Sequence, residues 1–169
     1  MSKDSNSSVN PVQAKLKTID ELAEITRQAR AAGETVVMAH GTFDLVHVGH
    51  LRHLRRAKRE GTVLIVTLTA DAYVNKGPGR PVFSEQMRAE MLASMNIVDY
   101  VGIQHAAMAI GALRIIRPDV YVKGKEYESA EDDVTGGIVG ERRAVEAHGG
   151  RIVFTDEVTF SSSTLINRH

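Results

Sequence analysis

Short runs of apolar, mostly β-branched residues recur along the chain at intervals of about thirty residues, and each of the first four is followed by a segment with helical spacing. Strands that alternate with helices in this way predict βαβ units and a parallel sheet. The runs are almost continuously apolar, which is typical of strands covered by helices on both faces. We therefore predict an α/β fold, a single doubly wound domain with a five-stranded parallel sheet. The predicted strands lie at 36–39, 63–68, 98–103, 120–122 and 152–154, and the predicted helices between them at 49–60, 84–95, 106–116 and 138–148.

Overall composition excludes several classes of protein. The chain has 169 residues, which suits one domain with a core of its own. Its 21 basic and 21 acidic residues cancel, so no overall field attracts nucleic acid or an anionic membrane, and we expect neither as a partner. The absence of cysteine excludes disulfides, thiolate nucleophiles and cysteine-ligated metals. No apolar run reaches the ~20 residues of a membrane helix, and the first residues lack a signal-peptide core, so we expect a cytoplasmic protein.

Two polar segments fall outside the repeating pattern. Residues 1–16 are rich in serine and asparagine and lack a clear period, which predicts a flexible N-terminal arm, disordered or loosely docked, before a domain over 17–169. A helix should begin that domain, because Thr18 and Glu21 have the spacing of a capping box. The acidic segment 124–137 ends in two glycines, and we expect a mobile loop there that becomes ordered when substrates bind.

The turn after the first predicted strand is unusually polar. Residues 40–50, HGTFDLVHVGH, place three histidines, two glycines and one aspartate where a strand should give way to a helix. Ligands of parallel α/β sheets bind at the carboxyl ends of the strands, and a helix N-terminus there favours an anion. His47 and His50 are three residues apart and share one side of the first helical turn, while Gly49 leaves room for a phosphate near the backbone. This pattern predicts a polyphosphate-binding site.

Two other interpretations of the histidine pair remain open at this point. Histidines three residues apart can ligate zinc, although no third ligand of a standard pattern lies nearby. They can also be incidental residues on the surface of a basic helix. We assign that incidental role to the other histidines, which are His40, His53, His105, His148 and His169, although His40 differs from the rest in ending the first strand.

The stretch resembles the HxGH nucleotidyltransferase superfamily, and within it the cytidylyltransferase-like group. The likeness rests on Gly41-Thr42-Phe43-Asp44 followed by His47-Val48-Gly49-His50 at the end of a first strand. Two further segments agree, Arg80-Pro81-Val82 with Glu85-Gln86-Met87-Arg88, and the hydroxyl run Ser161-Ser162-Ser163-Thr164 at a predicted helix start. The resemblance extends from about Thr18 to the end of the chain. It implies a Rossmann-like domain with an HxGH turn after the first strand.

The resemblance also implies a reaction and a set of site residues. Members of the superfamily join a nucleoside triphosphate to a phosphorylated small-molecule acceptor and release pyrophosphate, by in-line attack on the α-phosphorus. By this likeness His47, His50 and Arg88 are catalytic, and the nucleotide-binding residues are Gly41, Thr42, Phe43, Gly49, Ser161, Ser162, Ser163 and Thr164. The acceptor or nucleotide would be held by Asp44, Asp71, Lys76 and Lys123, with Asp44 orienting the acceptor or the metal. Mg²⁺ would bridge the phosphates, held mostly by them and by water rather than by a protein cage.

Within the group, the chain is most similar to the D-glycero-beta-D-manno-heptose 1-phosphate adenylyltransferases. The leading helix and the segments 75–81 (NKGPGRP) and 122–127 (VKGKEY) carry that likeness. It implies transfer of AMP from ATP to a sugar phosphate, with a heptose phosphate favoured. The acidic residues 128–137 and the ending 160–163 (FSSS) depart from the group's pattern and leave the choice of acceptor open.

Other functions remain open beside this one. A cytidylyltransferase would use CTP with glycerol 3-phosphate or another polyol or sugar phosphate. A flavin-dinucleotide-forming enzyme would need an aromatic pocket, which an aromatic content of 5% disfavours. A non-catalytic, nucleotide-sensing partner of a sugar kinase is disfavoured by the intact His47, His50 and Arg88. A homodimer, and a sugar kinase as a fused domain or separate partner, also remain open.

Overall fold

The sheet is parallel throughout, and its strand order puts the first strand at the centre. The computed structural model describes residues 10–128 and 137–156. The strands of that part are β1 (Val36–Gly41), β2 (Val63–Thr69), β3 (Tyr100–Gln104), β4 (Val120–Gly124) and β5 (Arg151–Thr155). They pair in the order β3-β2-β1-β4-β5, which confirms the predicted doubly wound sheet. β1 and β4 are neighbours without being consecutive, and ligands of such sheets bind beside this switch point.

Helices cover both faces of the sheet. Those of the described residues are α1 (Pro11–Lys15), α2 (Ile19–Ala31), α3 (Val48–Lys58), α4 (Glu85–Ala93), α5 (Ile110–Ile116) and α6 (Ile138–Glu146). One apolar cluster joins a face of the sheet to α1, α3 and α4, and a second joins the other face to α2, α5 and α6. Double cover explains why all seven residues of β2 are buried. None of these helices is long and apolar enough to cross a membrane.

A local signal begins α2, whereas a side chain distant in the sequence binds the backbone just before α5. At α2 the predicted capping box is present, because Thr18 Oγ1 accepts from the N–H of Glu21 at 3.2 Å and the Glu21 carboxylate accepts from the N–H of Thr18 at 2.7 Å. The helix predicted over 106–116 begins only at Ile110. Side chains distant in the sequence bind the backbone just before it, since Glu141 accepts from the N–H of Ala109 at 3.4 Å.

Residues 10–16 differ from the predicted flexible arm. They form α1, whose following residue Leu16 bridges to Val101 of β3, and Val12 and Leu16 pack against the cluster under α3 and α4. Lys15 Nζ also donates to the carbonyl of Met95 at 3.1 Å. Residues 10–16 are therefore docked on the sheet and its helices, and the predicted domain boundary at residue 17 stays a prediction. Two apolar side chains were too few to give a period in the sequence, yet they suffice to dock one helical turn. The remaining residues of the predicted arm, 1–9, lie outside the described residues.

Candidate active site

The turn that leaves β1 is built around the ring of Phe43. Phe43 has a positive φ of 51°, and its ring is buried. A Cβ at Gly41 would lie 3.0 Å from that ring, so the ring's position favours glycine at the end of the strand. The ring centroid of Phe43 lies 5.4 Å from that of His50. The predicted residues Gly41 and Phe43 therefore shape the turn and support the histidine that follows it.

His47 and His50 together cap the N-terminus of α3. His47 is the N-cap residue, and its Nδ1 accepts from the N–H of Gly49 at 3.1 Å. His50 Nδ1 accepts in return from the N–H of His47 at 3.3 Å, which makes a capping box of two imidazoles with ring centroids 4.1 Å apart. The N–H of Gly49 is thus engaged in this cap, and the predicted contact of Gly49 with the nucleotide stays a prediction.

This cap fixes which ring nitrogens can serve a ligand. Each Nδ1 uses its lone pair as an acceptor, so a neutral ring carries its proton on Nε2. Burial, followed by the proximity of His47, His53 and Lys76, lowers the pKa of His50 to about 4, so its ring is neutral at pH 7. The Nε2 of His47 is buried and has no hydrogen-bond partner among the described residues. The turn thus carries the Nε2–H groups of His47 and His50 as imidazole donors that an anion could accept from.

Arg88 is buried, and each nitrogen of its guanidinium group donates a hydrogen bond within the protein. Only 1% of its side chain is exposed. Its Nη1 donates to the carbonyl of Thr42 at 2.6 Å, its Nη2 to Asp71 Oδ1 at 2.6 Å and its Nε to the carbonyl of Phe83 at 3.0 Å. Arg88 therefore ties together the turn after β1, the end of β2 and the start of α4. These bonds use three of the five N–H donors of the guanidinium group. The predicted contact of Arg88 with the nucleotide stays a prediction, as does the substrate contact predicted for Asp71.

Asp44 is also committed to protein partners. Its Oδ2 accepts from Arg80 Nε at 2.6 Å, and its Oδ1 accepts from the N–H groups of Val82 at 2.8 Å and Phe83 at 3.1 Å. Burial raises the pKa of Asp44, but these hydrogen bonds outweigh burial and lower it overall. Asp44 thus holds the segment before α4 against the turn. Its predicted contact with acceptor or metal would compete with these bonds and stays a prediction.

Arg80 is a site residue that we did not predict from the sequence. Its side chain is 7% exposed, and its Nη2 is buried without a hydrogen-bond partner among the described residues. Lys76 lies at the surface of the same segment with its ammonium partly shielded. Burial and then the charge of Arg80 lower the pKa of Lys76. Because Lys76 also acts on the pKa of His50, the segment and the histidine turn share one region of positive charge.

The predicted residue Lys123 lies at the carboxyl end of β4. Its Nζ is 3.1 Å from the buried carboxylate of Glu141 and 4.3 Å from the ring centroid of Tyr127. The charge of Lys123 contributes to the lowered pKa values of His40 and His53, where burial is the larger cause. Lys123 is therefore near the switch point but paired with an acid, and its predicted contact with a ligand stays a prediction.

Two histidines that we classed as incidental are instead part of this region. His40 Nδ1 lies 2.9 Å from Thr67 Oγ1, and its Nε2 lies 3.3 Å from Thr69 Oγ1. His53 Nδ1 lies 2.7 Å from Thr155 Oγ1. The pKa is about 3 for His40 and about 4 for His53. The signal for His53 was present in the sequence, because it follows His50 by three residues on the same helix.

Some predictions concern residues outside the described part of the chain. These are the hydroxyl run Ser161, Ser162, Ser163 and Thr164 and most of the acidic loop, residues 129–136. For zinc, the described residues contain no group of three or more histidine or acidic side chains placed to hold a metal ion.

The family model for cytidylyltransferase-like proteins matches residues 38–168. The chain belongs to the cytidylyltransferase-like family. Membership confirms the resemblance that the HxGH turn predicted, and with it the nucleotidyltransferase class of the domain.

Curated relatives match this cytidylyltransferase-like chain over most of its length. The Bifunctional protein HldE of Syntrophotalea carbinolica is 37% identical over 155 residues, which are 90% of this chain and 30% of the relative. HldE of Geobacter metallireducens is 38% identical over 155 residues, which are again 90% of this chain and 30% of the relative. HldE of Gluconobacter oxydans is 36% identical over 160 residues, which are 94% of this chain and 32% of the relative. The chain thus spans about a third of the length of these relatives.

Solved structures share the fold of this cytidylyltransferase-like domain. The lipopolysaccharide core biosynthesis protein from Thermoplasma volcanium has a TM-score of 0.61 at 23% identity, covering 75% of this chain and 100% of that one. Pantoate-beta-alanine ligase from Francisella tularensis was solved with an ATP analogue and beta-alanine. It has a TM-score of 0.61 at 16% identity, and the match covers 91% of this chain and 73% of that one. At these identities the likeness shows the fold alone, and it confirms the Rossmann-like architecture.

Proposed function

We propose that this chain transfers a nucleoside monophosphate from a nucleoside triphosphate to a sugar phosphate and releases pyrophosphate. ATP is the favoured nucleotide and a heptose phosphate the favoured acceptor, so the product is a nucleotide-activated sugar. The curated HldE relatives support this assignment, together with the segments 75–81 and 122–127.

The observation that carries the proposal is the imidazole cap of α3. Both Nδ1 atoms accept backbone N–H groups, so the Nε2 protons of His47 and His50 are the donors left for a ligand. A buried donor without a partner is costly, and an anionic ligand would remove that cost for His47 Nε2. The location beside the switch point and the positive charge of Lys76 and Arg80 favour the same class of ligand.

The chemistry needs positioning and charge stabilisation rather than a nucleophile on the protein. The acceptor phosphate attacks the α-phosphorus in line, and pyrophosphate leaves with the electron pair of the broken bond. His47 and His50 donate to phosphate oxygens as charge moves toward the leaving group. Because the ring of His50 is already neutral and held by the cap, it gives a fixed N–H without taking up a proton first.

Magnesium fits this donor set as an ion brought in with the phosphates. The oxygens of Asp44 are engaged by Arg80 and two backbone N–H groups, so coordination of Mg²⁺ by this carboxylate would compete with these bonds. Asp71, with 40% of its side chain exposed, keeps one oxygen on Arg88. When bound, Mg²⁺ would supply charge neutralisation on the triphosphate, with water completing its coordination.

The curated relatives are named bifunctional, and this chain corresponds to about a third of them. This supports a second activity in the part of the relatives that the chain does not match. We propose a sugar kinase as that activity, because a kinase would supply the phosphorylated sugar that a nucleotidyltransferase consumes.

The test is pyrophosphate release by the purified chain with Mg²⁺, across ATP, CTP, GTP and UTP and a panel of heptose, hexose and polyol phosphates. We expect ATP with a heptose 1-phosphate to give the highest kcat/KM. Highest turnover with CTP and glycerol 3-phosphate would instead support the cytidylyltransferase alternative. Nucleotide binding without pyrophosphate release on any acceptor would contradict the proposal and favour a nucleotide-sensing role.

A further inference from the structure

Arg80 combines burial with an unmet hydrogen-bonding capacity. Its side chain is 7% exposed, Nε donates to Asp44 at 2.6 Å, and Nη2 is buried with no hydrogen-bond partner among the described residues. A buried charged donor without an acceptor is destabilising, so a structure that keeps one requires an explanation. An arginine that served only to pair with Asp44 through Nε would not need a buried, unpartnered Nη2.

The contacts of Asp44 show how Arg80 is held in place. One carboxylate oxygen takes Arg80 Nε, and the other takes the N–H groups of Val82 and Phe83, which follow Arg80 in the chain. The guanidinium and the backbone that carries it are therefore fixed to the same acid. Asp44 itself belongs to the turn between β1 and α3, so Arg80 is anchored directly to the segment that carries His47 and His50.

The charges around Arg80 leave room for an anion. Lys76 lies close enough that the charge of Arg80 contributes to lowering its pKa, after partial burial. The acids of this region are already engaged, since Asp44 pairs with Arg80, Asp71 pairs with Arg88, and Glu85 accepts from the N–H of Asp71 at 2.7 Å. Lys76 also lies within electrostatic reach of His50. The cationic side chains of Arg80 and Lys76, beside neutral imidazole N–H donors, favour a phosphate.

We propose that Arg80 binds a phosphate group of one of the two substrates, beside Lys76, whose contact with a substrate the resemblance already implies, and that Asp44 is the positioning residue that orients Arg80 for this contact. The proposal rests on the proposed function, because it takes the phosphate to belong to the nucleoside triphosphate or to the acceptor.

Arg80→Lys is the central variant. A lysine keeps the charge, but its single ammonium cannot replace two separate guanidinium contacts, to Asp44 and to a phosphate. Arg27→Lys is the matched control, because Arg27 is also an ion-paired arginine but 70% of its side chain is exposed on α2, where it pairs with Glu24. For each protein we would measure the KM and kcat of ATP and of heptose 1-phosphate. We would also measure the rise in Tm that each ligand gives relative to the same variant without ligand.

We expect Arg80→Lys to raise the KM of one substrate by about tenfold or more, and to reduce the Tm rise given by that ligand, while kcat changes less. A KM change confined to ATP assigns Arg80 to the triphosphate, and one confined to the sugar phosphate assigns it to the acceptor. KM values and ligand-induced Tm rises within twofold of those of the parent for both ligands would overturn the proposal. Arg27→Lys should have the same KM, kcat and ligand-induced rise in Tm as the parent with both ligands.

Asp44→Asn and the double variant Asp44→Asn/Arg80→Lys test the positioning role. If Asp44 acts through Arg80, the double variant will have the same KM as Arg80→Lys alone, whereas independent effects would add and would overturn the positioning role.

A parent protein that both ligands stabilise but that releases no pyrophosphate would contradict the proposed function alone, and the Tm comparison would still decide the role of Arg80. A parent stabilised by neither ligand would overturn both.

Discussion

Two pairs of histidines lie near the carboxyl end of β1, and they differ in what their ring nitrogens contact. His47 and His50 use Nδ1 to accept backbone N–H groups, which leaves Nε2–H for a ligand. His40 has both nitrogens on threonine hydroxyls. His53 contacts Thr155, whose hydroxyl donates to the Lys123 carbonyl at 3.3 Å and must therefore accept from His53 Nδ1–H. The neutral ring of His53 then has a bare Nε2, which cannot donate to a phosphate.

Residue type and burial do not separate these two pairs. Burial lowers the pKa of His40, His50 and His53 alike, to about 3, about 4 and about 4. What separates them is whether a ring N–H is left for a ligand: both nitrogens of His40 are bound to hydroxyls, His53 uses its N–H on Thr155, and the capping pair keeps Nε2–H. The capping pair is therefore the one suited to bind phosphate, and the threonine-bound pair is suited to hold the sheet and α3 together.

The largest expected effect comes from removing Nε2–H while keeping the cap. Asparagine Oδ1 can accept the N–H that His Nδ1 accepts now. Asparagine is favoured at the N-cap, where His47 lies, and at the third helix residue, His50, its Oδ1 can accept from the N–H of residue 47. His47→Asn and His50→Asn should therefore unfold at urea concentrations close to that of the parent, yet lose about 10²–10³ in the rate of pyrophosphate release. A variant that keeps more than about a tenth of the parent rate would show that its Nε2–H is not a catalytic donor.

A smaller effect is expected from the pH dependence of stability. The folded pKa of His40 lies below its unfolded value, so the unfolded chain binds more protons between about pH 3 and 6.5. The contribution of His40 to the free energy of unfolding is complete above pH 6.5. It is lost as the pH falls, at up to about 1.4 kcal/mol per pH unit. His40→Gln keeps a group that can bond to the two hydroxyls but does not titrate. Urea unfolding at pH 7 and pH 5 should show a shallower loss of stability for His40→Gln, and equal losses would contradict the assignment.

The smallest effect is expected at Thr155. Thr155→Val removes the hydroxyl that accepts from His53 Nδ1–H, which should lower the free energy of unfolding by about 1 kcal/mol. The rate of pyrophosphate release should stay within a factor of about two, because His53 is not a donor to the ligand. The ¹⁵N shifts of the His53 ring should move toward the Nε2–H tautomer in the variant. Unchanged ¹⁵N shifts would show that Thr155 does not set the tautomer.

Features that depend on nearby residues were predictable from the sequence. The spacing of apolar runs predicted the parallel sheet, Thr18 and Glu21 predicted the cap of α2, and His47 and His50 predicted the polar turn. Each of these signals lies within one segment of the chain, so it can be read from the propensity and periodicity of neighbouring residues.

Features that join distant segments were not predictable in the same way. Asp44 and Arg80 are 36 residues apart, and His53 and Thr155 are 102 residues apart. No local pattern links such pairs, because the parallel sheet brings them together only when folded. For the same reason the sequence could not show that Arg88 would be enclosed by a carboxylate and two carbonyls, or that Val12 and Leu16 would dock α1.

The imidazole cap also sets a limit on engineering this domain to work in acid. The Nδ1 of His50 accepts the N–H of His47 only while it is unprotonated, so a proton added there removes one of the bonds that begin α3. Selection for activity at low pH would therefore act first on the start of this helix. An acid-tolerant variant would need a cap that does not titrate, supplied by a side chain other than the ones that contact the phosphates.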